Sequence, residues 1–443
     1  MKLIINKFPP ITQRCEIDLS KKVILFVGKN NSGKTYLSQL IWGIYNIDYS
    51  YMKSNIEPIE FFDLSENKEE YSIILDDNIL KKVSQNFTIY LKRYRIKEIF
   101  KKNMNVDFEI ILSLNSRFIE IMHSKKHCRI FIKKINNKWI LSIKRHSHIE
   151  KITEEIDDIY KSIEFQIIRM SIEKYTTYLP SSRLFFPSFY KYIFHTEKNF
   201  KDNMFENLDK INSENRSFYA PSYTQPVDEL IKKLIFRLDN PIEEKNNYLE
   251  ILSNIIEGNI SVDRAEEIGM VDISYNHNSG HNIPMYLSSS MVNQLSMLYL
   301  YFKYWYAEEN NFLLLDEPEM NLHPSKKIEV MELLLDFASE NKLLIATHSS
   351  TLAKSLINYL HLFDLKEKKE NIQEFIDENK LDMNLDINLK SNDIGIYAFN
   401  GKTIVSYKRD NDSDIHFGTF TEVEDLQKKQ FDYIMEELDS YDS

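Results

Sequence analysis

The residues with the clearest chemistry in this sequence form one short loop. Its spacing is G-x-x-x-x-G-K-[ST], occupied by Gly28, Gly33, Lys34 and Thr35. Glycines allow successive N–H groups to surround a polyphosphate, the lysine reaches the β and γ phosphates, and the threonine hydroxyl binds Mg²⁺. The spacing therefore predicts a nucleotide-binding loop. Contacts are expected from Gly28, Lys29, Asn30, Asn31, Ser32, Gly33, Lys34, Thr35 and Tyr36.

Two adjacent carboxylates form the second chemical group. Asp316 and Glu317 directly follow the apolar run Phe312–Leu315, and doubly wound sheets bind ligands at the carboxyl ends of their strands. Asp316 is therefore predicted to hold Mg²⁺, directly or through water, and Glu317 to act as general base on the attacking water. Pro318 supports the end of the strand here, because proline cannot continue a central strand.

Two further loops carry candidate residues. His348 comes just after the apolar run Leu343–Ala346, so it is either a structural histidine or a group that hydrogen-bonds the γ-phosphate and reports hydrolysis. Pro180–Arg183 lies between aromatic residues. It is either a structural turn or a loop in which Arg183 contacts phosphate or the neighbouring loops.

The segments around these groups predict an α/β fold with a largely parallel sheet. Strands alternate with helices after residue 290, which is typical of such a sheet. Predicted strands near the N-terminus are Lys2–Asn6, Arg14–Ile17 and Val23–Val27. Alternating polarity predicts antiparallel strands at Phe87–Leu91, Val106–Leu112, Phe118–Met122, Arg129–Ile135 and Trp139–Ile143. Predicted helices include Tyr36–Tyr45, Val227–Leu238, Ile242–Glu257 and Ser325–Ala338, whereas residues 364–392 are predicted to be irregular before a hairpin at Gly395–Ser406 and a helix at Glu422–Leu438.

Composition limits the class of protein. The chain has 443 residues, 43% hydrophobic and 28% charged, and a net charge of −11, which is typical of a soluble globular protein. It has no apolar run of membrane-spanning length and no signal-peptide core, so we expect a cytoplasmic location without a membrane partner. The separated Cys15 and Cys128 exclude a disulfide framework. His123, His127 and Cys128 match no standard zinc spacing.

A cluster of basic residues allows two interpretations. No acid lies between Met122 and Ile149, so the cluster is either a surface for phosphate backbones or the solvated face of half-buried strands. The alternation of cations with Ile and Phe favours the second. The cluster comprises Lys125, Lys126, Arg129, Lys133, Lys134, Lys138, Lys144 and Arg145.

Four motifs together resemble a known family. In chain order, GKNNSGKT, LSSSMVNQ, LLLDEPEMNLHP and ATHSS resemble the ABC-class ATPases of the SMC, RecF and OLD branch. The resemblance covers the first 45 residues and about 283–360. No apolar heptad persists for three or four repeats, so no long coiled coil is expected. The resemblance implies a two-lobed P-loop ATPase head, with ATP and Mg²⁺ as cofactors. It also implies a homodimer or higher homo-oligomer in which two copies sandwich ATP.

The resemblance also assigns roles and boundaries. Ser288, Ser289 and Ser290 would be the signature serines that reach the partner's γ-phosphate, and Glu319–Pro324 would couple the two sites. The usual glycine pair is missing, and Met291 replaces the common Gln or Glu. The implied head comprises residues 1–86 and 266–362, interrupted by a β-rich insertion at 87–194 and a helical insertion at 195–265, and followed by 363–443 as linker, hairpin and helix.

The serine-rich signature, the Pro180–Arg183 turn and the short ATPase without a coiled coil look most like the compact ATPases of bacterial anti-phage systems, such as the PARIS, Septu and retron-associated kinds. They imply a sensor or scaffold that controls a toxin or nuclease from the same operon, with DNA or a phage protein as trigger. The alternative is a RecF-like repair or recombination ATPase that clamps DNA. A nucleotide-gated switch with negligible turnover is also open, while a transporter subunit fits poorly because a large insertion separates Lys34 from Asp316.

Overall fold

The chain forms an α/β structure in which four sheets and eleven named helices alternate along the described sequence. The computed structural model describes residues 1–63, 68–114, 120–124, 128–146, 156–172, 175–188, 223–236, 238, 247–264, 271–306, 310–368, 372–381, 383–407 and 428–433. The strands are β1 (Lys2–Lys7), β2 (Cys15–Asp18), β3 (Val23–Gly28), β4 (Glu70–Ile74), β5 (Asp107–Ile111), β6 (Glu120–Ser124), β7 (Cys128–Ile135), β8 (Lys138–Arg145), β9 (Tyr175–Leu179), β10 (Gly258–Arg264), β11 (Val271–His277), β12 (Asn282–Pro284), β13 (Asn311–Asp316), β14 (Lys342–Thr347), β15 (Ile394–Phe399) and β16 (Ile404–Ser406). The helices are α1 (Lys34–Tyr45), α2 (Asp77–Tyr90), α3 (Ile96–Phe100), α4 (Ile156–Arg169), α5 (Phe185–Ser188), α6 (Gln225–Phe236), α7 (Asn247–Ile256), α8 (Ser290–Leu300), α9 (Pro324–Glu340), α10 (Ser350–Lys368) and α11 (Ile372–Glu378).

The central sheet has the strand order β16-β15-β3-β14-β13-β9. All neighbours from β15 to β9 are parallel, and only β16 pairs antiparallel. The predicted α/β class with a parallel-rich sheet is therefore confirmed. Within the part of the chain that the structure describes, no long coiled coil occurs, and no helix is long and apolar enough to span a bilayer.

The central strands are buried on both faces, as expected for a parallel sheet covered on both sides. In β3, Ile24 and Phe26 belong to one hydrophobic core. Val23, Leu25 and Val27 belong to the other. Because successive side chains point to opposite faces of a strand, the two cores lie on opposite sides of the sheet. Because these strands are parallel, the polar residues that follow them lie together at the sheet's carboxyl edge.

The remaining strands form three antiparallel sheets, ordered β2-β1-β5, β10-β11-β12 and β4-β8-β7-β6. The predicted β-rich segment 87–194 thus contributes strands to three different sheets, including β9 in the central one. Asn136 and Asn137, with φ values of 49° and 63°, form the turn between β7 and β8. Type I′ hairpin turns need positive φ at both positions, and asparagine tolerates this conformation.

Three predicted elements are wrong. Phe87–Leu91 is helical, because α2 begins where the Asp76 carboxylate accepts from the Ile79 N–H at 2.9 Å and continues through buried Val83 and Phe87 at helical spacing. Gly258–Arg264 is strand β10 within the segment predicted as helical. Residues 364–392 contain the end of α10 and all of α11.

Some predictions concern residues outside the described ranges. Among these are Lys125, Lys126 and His127, the first residues of the predicted strand Phe118–Met122 and of the predicted helix Ile242–Glu257, and most of the predicted helix Glu422–Leu438. Of that helix, residues 428–433 are described and are helical. The structure also adds elements that we did not predict, among them β4 and α4.

Candidate functional site

The predicted site residues meet at the carboxyl edge of the central sheet. Strands β3, β14, β13 and β9 are adjacent and parallel, so the loops that follow them lie side by side. A pocket of about 550 Å³ opens at this edge. It is lined by Pro9, Pro10, Asn30, Asn31, Ser32, Gly33, Lys34, Thr35, Tyr36 and Glu317.

Two glycines shape the loop between β3 and α1. Gly28 and Gly33 have φ values of 154° and 99°, which side chains disfavour. A Cβ at Gly28 would lie 2.4 Å from the Phe399 carbonyl oxygen, and one at Gly33 would lie 2.6 Å from Pro10 Cδ. Both positions therefore require glycine, for backbone conformation and for space.

Lys34 is almost buried in this loop, with 6% of its surface exposed. Its ammonium donates to the carbonyl oxygens of Gly28 at 2.7 Å and Lys29 at 2.8 Å. Burial lowers the pKa of Lys34, while the charges of Glu317 and Asp316 oppose this shift. The loop lysine and the two carboxylates are thus close enough to interact.

The Asp316 carboxylate is fixed by a chain of hydrogen bonds. Gln39 Nε2 donates to the Tyr178 hydroxyl at 3.3 Å, and that hydroxyl donates to Asp316 Oδ2 at 2.7 Å. Burial raises the pKa of Asp316 to about 6, although hydrogen bonding from Tyr178 and Thr35 acts in the opposite direction. The carboxylate is therefore held in one orientation in a dry environment.

The donor set beside Asp316 fits Mg²⁺. Asp316 Oδ1 is buried and has no hydrogen-bond partner among the described residues. The Thr35 hydroxyl is close enough to lower the pKa of the same carboxyl. Carboxylate and hydroxyl oxygens are the ligands that Mg²⁺ prefers, usually together with phosphate oxygens and water. A metal ligand at this position needs a carboxylate oxygen that is unpaired and lies beside the phosphate-binding loop. Asp316 Oδ1 meets both conditions.

Glu317 lies at the wall of the pocket in a left-handed conformation, with φ of 49°. Its N–H donates to the Ala346 carbonyl at 2.7 Å. Its own carbonyl accepts from Arg183 Nη2 and Gln294 Nε2, both at 3.1 Å. On the side chain, Oε1 lies 3.3 Å from His348 Nδ1. The residue predicted to act as base and the histidine predicted to report hydrolysis are therefore in direct contact.

Arg183 hydrogen-bonds the backbone of the segment that carries Asp316 and Glu317. It is 1% exposed, and Nη1 donates to the carbonyl oxygens of Asp316 at 2.5 Å and Pro180 at 3.0 Å. Burial lowers the pKa of Arg183 to about 10, opposed by the charges of Glu319, Asp316 and Glu317. Of the two predicted contacts, Arg183 makes the one to the loop. It is not among the described residues that line the pocket, so this placement does not support a phosphate contact.

The segment Glu319–Pro324, predicted to couple two sites, is attached to the end of β14. Glu319 is 4% exposed and accepts from the Thr347 hydroxyl at 2.5 Å. That hydroxyl in turn accepts from the Ser349 N–H at 2.9 Å. The segment is thereby tied to the loop that carries His348.

The signature segment, Ser288–Ser290, lies at the start of α8 and does not line the described pocket of its own chain. Ser289 caps the helix by accepting from the Val292 N–H at 3.3 Å. Ser289 and Ser290 are exposed. Immediately before Ser288, Tyr286 and Leu287 are 70% and 67% exposed. An apolar pair thus flanks the polar start of this helix at the surface.

Sequence reasoning missed five residues of this site. Gln39 and Gln294 are polar residues at buried positions of apolar helices, which is a usable signal. Tyr178 lies in an ordinary apolar strand, and nothing in its neighbours indicates that it faces a carboxylate. Pro9 and Pro10 read as a turn, although they line the pocket.

In the described part of the basic cluster, exposed cations alternate with buried apolar residues. Arg129 and Lys144 are opposite each other on β7 and β8 and are exposed, while Ile130 and Ile132 are buried beneath. Cys128 is fully buried in the core. Among the described residues, no group of three His, Cys, Asp or Glu side chains is arranged to hold a metal.

Replacing Asp316 with Asn is expected to stabilise the metal-free protein. The folded-state pKa of about 6 exceeds the ordinary value of 3.8, so the charged carboxylate destabilises the fold above pH 6, and this cost vanishes as the pH falls below 3.8. Asp316→Asn should therefore raise the free energy of unfolding by about 2–3 kcal/mol at pH 7.5 in EDTA. The gain should shrink between pH 6 and pH 4.

Chemical denaturation at pH 7.5 and at pH 5 measures both effects. Added Mg·ATP should stabilise the natural protein more than Asp316→Asn, because the variant lacks the anionic ligand. An Asn variant that is less stable at both pH values would contradict this account of the buried carboxylate.

Comparison with known proteins gives one family match and several remote structural similarities. The family model described as AAA ATPase domain matches residues 1–353. No curated protein matches the chain. The Smc head bound to the C-winged helix domain of ScpA is 11% identical, covers 92% of this chain and 97% of that chain, and has a TM-score of 0.36. The Pyrococcus furiosus Smc head with an extended coiled coil, bound to the C-terminal domain of ScpA, is 12% identical, with coverages of 96% and 98% and a TM-score of 0.36. The SMC head domain from Thermotoga maritima is 12% identical, with coverages of 92% and 98% and a TM-score of 0.33.

Because these identities and TM-scores are low, membership rests on the family match. That match covers most of the chain, and it includes the phosphate-binding loop, Asp316, Glu317 and His348. The chain therefore belongs to the AAA ATPase domain family.

Proposed function

We propose that the protein binds Mg·ATP in the pocket at the carboxyl edge of the central sheet and hydrolyses it to ADP and phosphate. One observation carries this proposal. Lys34 and Glu317 line the same pocket, beside a buried Asp316 whose Oδ1 is unpaired among the described residues. These are the residues that we assign as phosphate cradle, metal ligand and base.

Each of these residues has a defined part in the reaction. The N–H groups of Gly28–Lys34 and the Lys34 ammonium bind the phosphates. Thr35 and Asp316 would hold Mg²⁺, which when bound neutralises charge that develops on the phosphates. Glu317 accepts the proton of the attacking water, and His348, 3.3 Å from Glu317, orients that carboxylate and binds the γ-phosphate.

The same proposal includes self-association through ATP. The exposed start of α8, with Ser289 and Ser290 beside exposed Tyr286 and Leu287, offers polar groups for a nucleotide and apolar area for a protein surface. A second copy would place its nucleotide against this segment, which gives a homodimer or a higher homo-oligomer.

Sedimentation of the Glu317→Gln variant tests both binding and association, because slow turnover preserves the ATP-bound state. With Mg·ATP the variant should shift from monomer to dimer or larger. Adding Ser290→Arg should prevent the shift, whereas Ser72→Arg, an equal change at an exposed position of β4, should not. A monomer under all conditions, despite measured ATP binding, would rule out assembly through the nucleotide.

The biological role that we propose is a sensor or scaffold in anti-phage defence, which controls a toxin or nuclease from the same operon. The motif resemblance supports this role. Purification from the native operon tests it, since an effector should co-purify and its release should depend on ATP.

The second candidate is an ATPase that clamps DNA, favoured by the exposed Arg129 and Lys144 on neighbouring strands. DNA affinity should then fall steeply with salt, because bound counterions are released. Charge reversal of this pair should reduce the slope, and a flat response to salt excludes the candidate.

A further inference from the structure

Hydrogen bonds from several elements fix the backbone of Glu317. Its left-handed conformation, φ 49°, persists only where the surroundings hold it. Four hydrogen bonds do so. The N–H donates to Ala346 at 2.7 Å, and the carbonyl accepts from the Met320 N–H at 3.2 Å, from Arg183 Nη2 at 3.1 Å and from Gln294 Nε2 at 3.1 Å.

Gln294 differs from the other three partners in where it comes from. Ala346, Met320 and Arg183 belong to loops and strands of the same edge of the sheet, whereas Gln294 lies on α8, whose first residues are the signature segment. The bond from Gln294 therefore links an exposed helix end to the residue proposed as base.

This link is stiff. Gln294 is 0% exposed, and its Oε1 has no hydrogen-bond partner among the described residues. Breaking the bond to Glu317 would leave both polar atoms of this buried amide without a partner among the described residues, although the Glu317 carbonyl would still accept from Arg183 and Met320. A displacement of α8 must therefore move the Glu317 carbonyl as well.

We propose that Gln294 is a positioning residue that transmits the state of the signature segment to Glu317 of the same chain. This inference rests on the proposed function, in which a second copy binds its nucleotide against Ser288–Ser290. That contact fixes α8, and Gln294 then holds the Glu317 backbone so that its carboxylate stays at the pocket wall. Hydrolysis at one site thereby depends on nucleotide at the other, and ATP turnover is cooperative.

The test is Gln294→Met, which keeps the length and unbranched shape of the side chain and removes the amide. We expect kcat to fall about tenfold and the cooperativity of turnover with ATP concentration to disappear, while the Kd for ATP stays within about threefold. Such a split between kcat and binding separates a positioning role from a general loss of structure.

Ser296→Ala is the matched control. Ser296 is equally buried on α8, but its hydroxyl donates to the Asn293 carbonyl at 2.7 Å and not to the carboxylate loop. It should leave kcat and cooperativity within about twofold. If Gln294→Met retains full, cooperative turnover, or weakens ATP binding as much as it lowers kcat, the inference is wrong.

The Glu317→Gln variant, measured in the same assay, separates a failure of the inference from a failure of the proposed function. When the natural protein turns over ATP and Glu317→Gln does not, the proposed function stands and Gln294→Met alone decides the inference. When the natural protein binds ATP without turnover, both the proposed hydrolysis and the inference fail.

Discussion

Glu317→Gln is expected to keep ATP binding and to lower turnover by about 10²–10⁴, the usual contribution of a positioned general base. The substitution keeps the size of the side chain and removes the proton acceptor. The backbone bonds of Glu317 to Ala346, Arg183 and Gln294 do not involve the carboxylate, so the conformation of the loop should survive. The loss should therefore appear in kcat and not in nucleotide affinity.

Steady-state phosphate release, together with equilibrium binding of ATP, measures this split. Glu329→Gln on α9 is the control, because it removes a half-buried carboxylate that is paired with Lys326 and does not line the pocket, so turnover should stay unchanged. Turnover of Glu317→Gln within a few-fold of the natural protein would remove Glu317 from the role of base.

Lys34→Ala should abolish measurable nucleotide binding. The ammonium is the one side-chain cation among the described pocket-lining residues, and each charge-assisted bond contributes about 1.5–3 kcal/mol. Losing two such bonds weakens binding by at least about 10²-fold. The effect should be seen with ATP and with ADP, since the lysine contacts the β phosphate as well as the γ phosphate.

Calorimetric titration with Mg·ATP measures the loss, and the unfolding temperature shows whether the variant is folded. Lys53→Ala, a change of the same charge at an exposed position, should bind as the natural protein does. A folded Lys34→Ala protein with unchanged affinity would contradict the proposed phosphate cradle.

The parts of the site that could be predicted are those where local sequence determines local geometry. A short apolar strand followed by glycines or carboxylates has few alternatives, and the structure places the Gly28–Thr35 loop and Asp316-Glu317 at one edge of the sheet. The prediction failed for Phe87–Leu91, because a short apolar run is compatible with both helical and strand periodicity. Tertiary packing decides between the two.

Other features depend on which strands become neighbours. Tyr178 meets Asp316 only because β9 pairs with β13, where Leu314 and Tyr178 are in register. Arg183 could be identified as part of a functional loop, but local sequence does not determine whether a guanidinium faces a phosphate or backbone carbonyls. Gln294 is the last residue of the LSSSMVNQ motif, but the motif does not indicate that this side chain contacts Glu317, 23 positions later.

The close contact between Gly28 and Phe399 has a practical consequence for fragments of this protein. Phe399 belongs to β15, which pairs in parallel with β3 over Val23–Gly28, and the carbonyl of Lys402 accepts from the N–H groups of Thr12 and Gln13. A fragment that stops at residue 353, where the family match ends, would leave β3 as an open edge, prone to pairing with other chains. Expression of a minimal ATP-binding unit should therefore continue at least to residue 406, so that the last hairpin can close the sheet.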